Sequence, residues 1–336
     1  MNLSKRISLM TSLREDIELN KDYWAAKIRE AEMMNPWFTP SSTSNALKSI
    51  SAEMLDPVKL EKWVGFYPVP KSPANVGIIM AGNLPLVGFA DWLAVFMSGH
   101  RAMVKCSDKD SVLFPAILER LKEWAPEFSG NTIIEERLKG YDAIIATGSN
   151  NTSLYFKSYF SHVPHIIRKN RTSVGVIQSG DDEEVLEAFN ADIHSYFGLG
   201  CRNVSKLYLP LGFDIRLLMS VFERESSNIA FNKYKNNFDY NLSIYLLNKI
   251  PFYTDNNIIL IEDKSPFSRI ACLHYEWYDA VNEVMTDIKS RRDDIQCIVS
   301  SDRVGDLKVI PPGTTQSPGL FDYADDVDTM HFLSNI

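Results

Sequence analysis

The chain has 336 residues, 45% of them hydrophobic and 23% charged. That apolar share excludes disorder of the whole chain, and at roughly 100–200 residues per domain the expectation is two domains or one large one. Thirty-five basic residues against 43 acidic ones leave a formal charge of −8, which argues against a surface for nucleic acid or acidic lipid and leaves a small anion in a local pocket as the remaining anionic partner.

The first seventy residues read as mostly helical: Trp24, Ile28, Ala31 and Met34 recur at spacings of four and three before Asn35-Pro36 breaks the pattern. Residues 41–44 (SSTS) read as a polar loop or cap cluster, and no chemistry is visible before Pro70. The opening run MNLSKRISLMTSLRED is charged within its first turns and lacks a long apolar region, so no signal peptide is expected. Residues 72–90 carry no charge, but Pro73, Asn75, Asn83 and Pro85 interrupt them. They read as strand, turn and helix start rather than as a membrane span of about 20 apolar residues. A soluble, cytoplasmic protein is the expectation.

From residue 70 short apolar runs alternate with helical patterns. Residues 76–81 read as a buried strand, 84–97 as an apolar helix and 101–106 as a second strand. A helix carrying Ile117, Leu121 and Trp124 follows, with Pro115 tolerated near its first turn. Residues 143–146 form a strand that runs straight into Thr147-Gly148-Ser149. In the second half, 174–177 is a strand, and Leu186, Phe189, Ile193 and Tyr196 keep helical spacing until Gly198 and Gly200 stop them. Strands at 205–209, 258–261, 271–274 and 295–299 and a helix from Trp277 follow, while residues 231–241, with four asparagines, read as a loop. This alternation predicts an α/β fold with a largely parallel sheet.

Four cysteines, Cys106, Cys201, Cys272 and Cys297, show no CxxC pair and no metal-ligand spacing, so neither a disulfide scaffold nor a zinc site is expected. The sharpest local feature is FGLGCRN at 197–203: a cysteine flanked by glycines, just past a helix stop, with Arg202 beside it. A reactive cysteine needs an electropositive, partly open site. On spacing alone, a small core residue is the commoner fate of such a cysteine. In AGNLP at 81–85, Asn83 lies where a strand gives way to a helix. Its amide suits a developing oxyanion, and it suits a helix N-cap equally well. Thr147-Gly148-Ser149-Asn150 offers free helix N–H groups to a phosphate, or an ordinary capped turn. In VKCSD at 104–108, Lys105 closes a strand within reach of a nucleotide ribose or phosphate, or simply ends it in solvent.

Taken in order, strand–GNLPL–helix, VKCSD, ATGSN and a glycine-flanked cysteine resemble the aldehyde dehydrogenase superfamily. Within it the chain is most similar to the LuxC-type long-chain acyl-CoA reductases. The resemblance rests on residues 82–89 (GNLPLVGF), 98–105 (SGHRAMVK), 168–174 (RKNRTSV), 196–205 (YFGLGCRNVS) and 316–324 (QSPGLFDYA), and spans roughly residue 70 to the C-terminus. It implies an α/β fold with a Rossmann-type cofactor domain and an α/β catalytic domain. The expected division is a helical segment (1–70), a cofactor domain (71–170), a catalytic domain (171–310) and a C-terminal segment (311–336). Within it, residues 325–336 would lend a strand to a partner in a homo-oligomer.

The resemblance also implies site residues. Cys201 stands at the nucleophile and Asn83 at the oxyanion asparagine. Lys105 stands at the lysine contacting the adenosine ribose, with Ser107 and Asp108 beside it. Gly148 and Ser149 match the turn against the pyrophosphate, and Ala81 and Gly82 face the nicotinamide. Lys105 with Lys109 favours NADPH, and Asp108 leaves NADH open.

Two departures matter. The glutamate that activates the deacylating water in aldehyde-oxidising members is replaced by RKNR at 168–171, and no match for the ribose-binding glutamate is found in 264–270. Without that base, an acyl thioester on Cys201 persists for reduction or exchange with coenzyme A. The implied activity is reduction of an acyl-CoA to the aldehyde. Arg168, Lys169 and Arg171 are candidates for the coenzyme A phosphates, and a solvated charged turn fits them equally well. The alternatives are a CoA-acylating aldehyde dehydrogenase for a short acyl group, a non-redox cysteine acyltransferase or thioesterase, and a catalytically idle binding subunit.

Overall fold

The computed structural model describes residues 1–224 and 227–336, which form two compact units: Met1–Asn170 with Ser317–Ile336, and Arg171–Gln316. No described helix is long and apolar enough to cross a membrane.

The first unit opens with four helices, α1 (Leu3–Leu19), α2 (Lys21–Met34), α3 (Pro40–Ser49) and α4 (Pro57–Gly65). The SSTS run lies inside α3 rather than in a loop. Thr39 caps that helix by accepting from the Ser42 amide at 3.3 Å, and Pro40 fits its first turn. The unit then builds β1 (Asn75–Ile79), α5 (Phe89–Ser98), β2 (Arg101–Lys105), α6 (Leu113–Trp124), β3 (Thr132–Ile134), β4 (Ala143–Thr147), α7 (Asn150–Tyr159) and β5 (His165–Arg168). The sheet order is β3-β2-β1-β4-β5, every pair parallel.

Parallel strands covered on both faces must be apolar throughout, and Ala143–Ala146 of β4 are fully buried. Helix α5 is buried along nearly all its length. Trp92 is stacked on Phe96 and meets Phe114 and Phe128 edge-on, while its indole N–H donates to Thr132 Oγ1 at 3.0 Å. Met10, Leu13, Trp24, Phe38, Leu60 and Trp63 of the first four helices share one core with Val76, Ile78 and Val104 of the sheet.

The chain's last residues also belong to this unit. They do not extend as a strand; they form a helix (Thr329–Ser334) packed on α5, with Met330 and Leu333 buried. His100 fixes it: Nδ1 accepts from the Ala74 amide at 2.9 Å, which leaves Nε2 to donate to the Leu333 carbonyl at 2.8 Å.

The second unit contains β6 (Thr172–Val176), α8 (Glu183–His194), β7 (Val204–Pro210), α9 (Ile215–Phe222), α10 (Asn232–Leu247), β8 (Tyr253–Thr254), β9 (Ile259–Glu262), β10 (Cys272–Tyr278), α11 (Val281–Ser290) and β11 (Ile295–Val299). Its sheet order is β11-β6-β7-β10-β9-β8, parallel except for the β8–β9 pair. One face is covered by α8 and α9 through Leu186, Phe189, Leu218 and Phe222, the other by α11 through Val284 and Ile288.

Residues 231–241 are not a loop: α10 carries Tyr234, Phe238, Asn241 and Tyr245 as a buried stripe. Trp277 lies within β10, and the following helix starts only at Val281. The α/β architecture itself is as expected.

Candidate active site

In the first unit β1 is followed by β2 and β3 on one side, while β4 and β5 lie on the other. The carboxyl ends of β1 and β4 therefore flank the point where strand order reverses, which is where open parallel sheets bind ligands. The predicted cofactor residues collect along this edge. Ala81 and Gly82 follow β1, with the predicted oxyanion residue Asn83 next to them; Lys105 ends β2, Ser107 and Asp108 follow it, and Gly148 and Ser149 follow β4.

The loop after β1 is held at several points. A Cβ on Gly82 would stand 2.6 Å from Ser107 Cβ and 3.0 Å from Lys109 Cβ, so glycine is required for the β1 and β2 loops to lie flush. The Met80 amide donates to the Lys105 carbonyl at 3.0 Å. Leu86 adopts a left-handed φ of 58°, and its amide donates to Asp110 Oδ2 at 2.7 Å. Asp110 is buried, and its Oδ1 has no hydrogen-bond partner among the described residues. Burial pushes its carboxyl up to about 6, against the opposing pull of the Leu86 and Leu113 amides. The neighbouring Cys106 thiol is pushed up to about 11 by burial and by the Asp110 charge.

Asn83 is exposed between these anchors. Helix α5 does not begin at residue 84 but at Phe89, with Gly88 in the N-cap position. Pro85 lies in the preceding turn, and Asn83 is not a helix cap. That reading of Asn83 is excluded.

After β2, Lys105, Asp108 and Lys109 are exposed, and Ser107 Oγ accepts from the Lys109 amide at 3.3 Å. After β4, the Gly148 amide donates to the Arg168 carbonyl at 3.2 Å. Ser149 caps the ten-residue α7, accepting from the Thr152 amide at 3.3 Å. A Cβ on Gly148 would fall 2.9 Å from Thr152 Cβ. A small turn at the amino end of a helix suits a phosphate group, so the residues along this edge fit a dinucleotide.

Arg168 is not a phosphate ligand. It ends β5 as a buried side chain, with Nη2 2.7 Å from Asp91 Oδ1 and Nε 3.3 Å from Asp91 Oδ2. It also donates to the Ala324 carbonyl at 2.6 Å and to Thr329 Oγ1 at 3.0 Å. Arg171, in the other unit, donates to the Arg292 and Ile295 carbonyls at 3.3 and 3.2 Å. Internal partners engage both guanidinium groups that were offered to coenzyme A.

In the second unit Cys201 is half-buried in a tight turn between α8 and β7. Helix α8 stops at His194, before the glycines. Tyr196, Phe197 and Gly198 then take left-handed φ values of 51°, 60° and 72°. Such values are unfavourable for bulky side chains, and tertiary contacts hold them. Phe197 packs against Phe231 at 4.9 Å between ring centroids, and Tyr196 is buried enough to push its phenol up to about 12. Asn203 Oδ1 accepts from the Gly200 amide at 2.9 Å, and its Nδ2 donates to the Asp192 and Ser195 carbonyls at 3.0 and 2.7 Å. Ser173 Oγ donates to the Cys201 carbonyl at 3.0 Å and accepts from the Cys297 amide at 3.1 Å. Arg202 Nη1 lies 3.4 Å from Cys297 Sγ. Among the described residues no group of His, Cys, Asp or Glu could hold a metal ion.

No protein-family model and no curated protein matches the sequence. Solved structures do. A putative aldehyde dehydrogenase from Burkholderia cenocepacia aligns over 91% of this chain and 74% of its own, with TM-score 0.68 and 13% identity. The fold is that of the aldehyde dehydrogenases. Aldehyde dehydrogenase C of Pseudomonas syringae, in complex with NAD+ and octanal, aligns over 90% of this chain and 73% of its own (TM-score 0.64, 12% identity). Succinic semialdehyde dehydrogenase of Streptococcus pyogenes, with NADP+, aligns over 89% and 76% (TM-score 0.66, 11% identity). In this aldehyde dehydrogenase-like fold the first unit supplies the Rossmann-type sheet and the second the cysteine-bearing one.

Sequence reasoning missed Asp110 and Asp91, whose partners lie 24 and 77 residues away in the chain. Asn203 was visible only as part of a motif. A signal was nonetheless present: an asparagine two residues past the cysteine, directly before an apolar strand.

Proposed function

We propose that the protein reduces an acyl-CoA thioester to the aldehyde, with NADPH as reductant, through an acyl-enzyme on Cys201. Arg168 carries this reading. The stretch 168–171, where the resemblance calls for a water-activating glutamate, holds no carboxylate, and its Arg168 is buried and engaged by Asp91, Thr329 and the Ala324 carbonyl. A guanidinium cannot accept a proton, so this stretch supplies no base for hydrolysis of a thioester on Cys201. The fold shared with nicotinamide-bound dehydrogenases and the glycine-lined edge of the first sheet support the cofactor assignment.

The Cys201 thiolate attacks the thioester carbonyl, forming the C–S bond while the carbonyl π pair moves onto oxygen. The roles of oxyanion donors are assigned, on the resemblance, to the Asn83 amide and the Cys201 backbone N–H, a single such donor being worth roughly 3–4 kcal/mol. Collapse expels coenzyme A as its thiolate, which takes a proton from solvent. A reduced nicotinamide bound along the β1, β2 and β4 edge would supply the hydride that converts the thioester carbonyl to aldehyde. The second collapse returns the electron pair to Cys201. The balance is acyl-CoA + NADPH + H⁺ to aldehyde + coenzyme A + NADP⁺. Lys105 and Lys109 offer two cations to a ribose 2′-phosphate, the reason for placing NADPH ahead of NADH.

A series of acyl-CoAs of increasing chain length, each incubated with NADPH, tests the assignment. Loss of reduced-nicotinamide absorbance with matching aldehyde is expected. Release of coenzyme A with no cofactor consumed would instead indicate an acyltransferase or thioesterase.

A further inference from the structure

The strained arch before Cys201 raises a question the reaction leaves open: what holds it. Three consecutive residues, Tyr196, Phe197 and Gly198, sit in the left-handed region, two of them bulky aromatics. Backbone of this kind persists only where its surroundings over-determine it. The Phe197 ring contacts anchor the middle of the arch. Its two ends, at Asp192–Ser195 and at Gly200, converge on one side chain.

We infer that Asn203 is the positioning residue of the thiol-bearing turn. This rests on the assignment of Cys201 as nucleophile. Asn203 is 1% exposed, and its three hydrogen bonds all go to the backbone of the arch: Gly200 N–H at 2.9 Å, the Asp192 carbonyl at 3.0 Å and the Ser195 carbonyl at 2.7 Å. Its own amide closes the same turn by donating to the Gly200 carbonyl at 3.1 Å. One planar amide thus joins the end of α8, the residue that leaves it, and the residue before the cysteine.

The chemistry selects asparagine. The site needs one acceptor and two donors from a single short group. Aspartate would keep the acceptor but set a carboxylate oxygen against two carbonyls, and alanine would leave all three backbone groups buried without that partner. The far end of the arch is held as firmly. The Asp192 carboxylate accepts from the Gly313 and Thr315 amides at 2.7 and 3.2 Å and from Thr315 Oγ1 at 2.7 Å. With Asp192 fixed from behind, the pull of Asn203 sets the turn that carries Cys201, and a displacement of about 1 Å at a reacting group can cost on the order of a hundredfold in rate.

The test compares Asn203→Ala with Leu218→Ala, a buried core change on α9 of the same unit that removes none of the hydrogen bonds holding the arch. For each full-length variant the readouts are thermal unfolding, the pH profile of Cys201 alkylation by iodoacetamide followed by peptide mass mapping, and kcat and KM for acyl-CoA reduction. Asn203→Ala is expected to lower Cys201 alkylation at neutral pH about tenfold and to displace its pH midpoint. It should lower kcat about a hundredfold while KM stays within a few-fold. Leu218→Ala should keep the wild-type alkylation profile at comparable loss of stability. If Asn203→Ala does not fold, Asn203→Asp, which retains the Gly200 contact, takes its place.

A wild-type alkylation profile in the Asn203 variant, or one shared with Leu218→Ala, overturns the inference. Altered alkylation in a protein that reduces no acyl-CoA would sink the proposed reaction and leave the positioning role standing.

Discussion

The Arg168 guanidinium grips the Asp91 carboxylate at two points, 2.7 and 3.3 Å, joining the end of β5 to the first turn of α5. Its remaining N–H groups reach Ala324 and Thr329, so one buried cation secures both the sheet edge and the chain's final helix. Removing one partner of a buried, hydrogen-bonded ion pair strands the other. Arg168→Ala is therefore expected to destabilise the first unit by about 3–5 kcal/mol, read as a fall in denaturant midpoint. A change within experimental scatter would show that the clamp is dispensable.

Asp110 predicts a pH signature. Burial raises its folded pKa from 3.8 to about 6, so the neutral acid is the form the fold favours. The stability this group contributes is full below pH 3.8 and is lost as pH rises through about 6. The span amounts to about 3 kcal/mol. Asp110→Asn, which cannot ionise, should lack that decline. The stability gap between the two proteins should therefore move in favour of the variant between about pH 4 and pH 7. A gap independent of pH would mean that the carboxyl titrates normally.

Gly82 makes a steric prediction. With Ser107 Cβ 2.6 Å from the position of an added Cβ, Gly82→Ala must push the β1 and β2 loops apart along the edge proposed for the cofactor. NADPH affinity should fall at least about tenfold, equivalent to 1.4 kcal/mol, with a smaller effect on unfolding. Ser107→Gly in the same chain should recover part of the loss. Titration of cofactor fluorescence measures both, and unchanged affinity in Gly82→Ala would place the cofactor elsewhere.

Lys105 and Asp108 bear on cofactor choice. Both are exposed at the carboxyl end of β2. Lys105→Ala should reduce kcat/KM for NADPH more than for NADH, by about tenfold in the ratio, as expected for loss of one phosphate contact. Asp108→Asn should move the ratio the other way. Equal losses with both cofactors would remove the 2′-phosphate from this corner.

Much of the frame was legible in the sequence because parallel strands buried on both faces read as unbroken apolar runs. The run at 295–299 coincides with β11, and 143–146 falls short of β4 by one residue. Helix α10 was misread because asparagine composition outweighed periodicity. Its buried face, Tyr234, Phe238, Asn241 and Tyr245, keeps spacings of four and three, and Asn241 is buried because its amide donates to the Ile270 carbonyl at 3.0 Å.

The glycine junctions of the site could be found because a glycine after a strand marks close backbone approach, as at Gly82. The clamps could not. Arg168 with Asp91 and Asp110 with Leu86 are pairs made by folding, and a charged residue carries no local sign of the partner it will meet. That is why Arg168 read as a phosphate ligand when it is part of the interior.

The proposed reaction requires a thioester at Cys201. Mixing the protein with acyl-labelled CoA in the absence of cofactor, then digesting and mapping the label, should place one acyl group on Cys201. Adding NADPH should discharge that group as an equimolar amount of aldehyde. Label on any other residue, or discharge as free carboxylate with NADPH unspent, would contradict the proposed reaction.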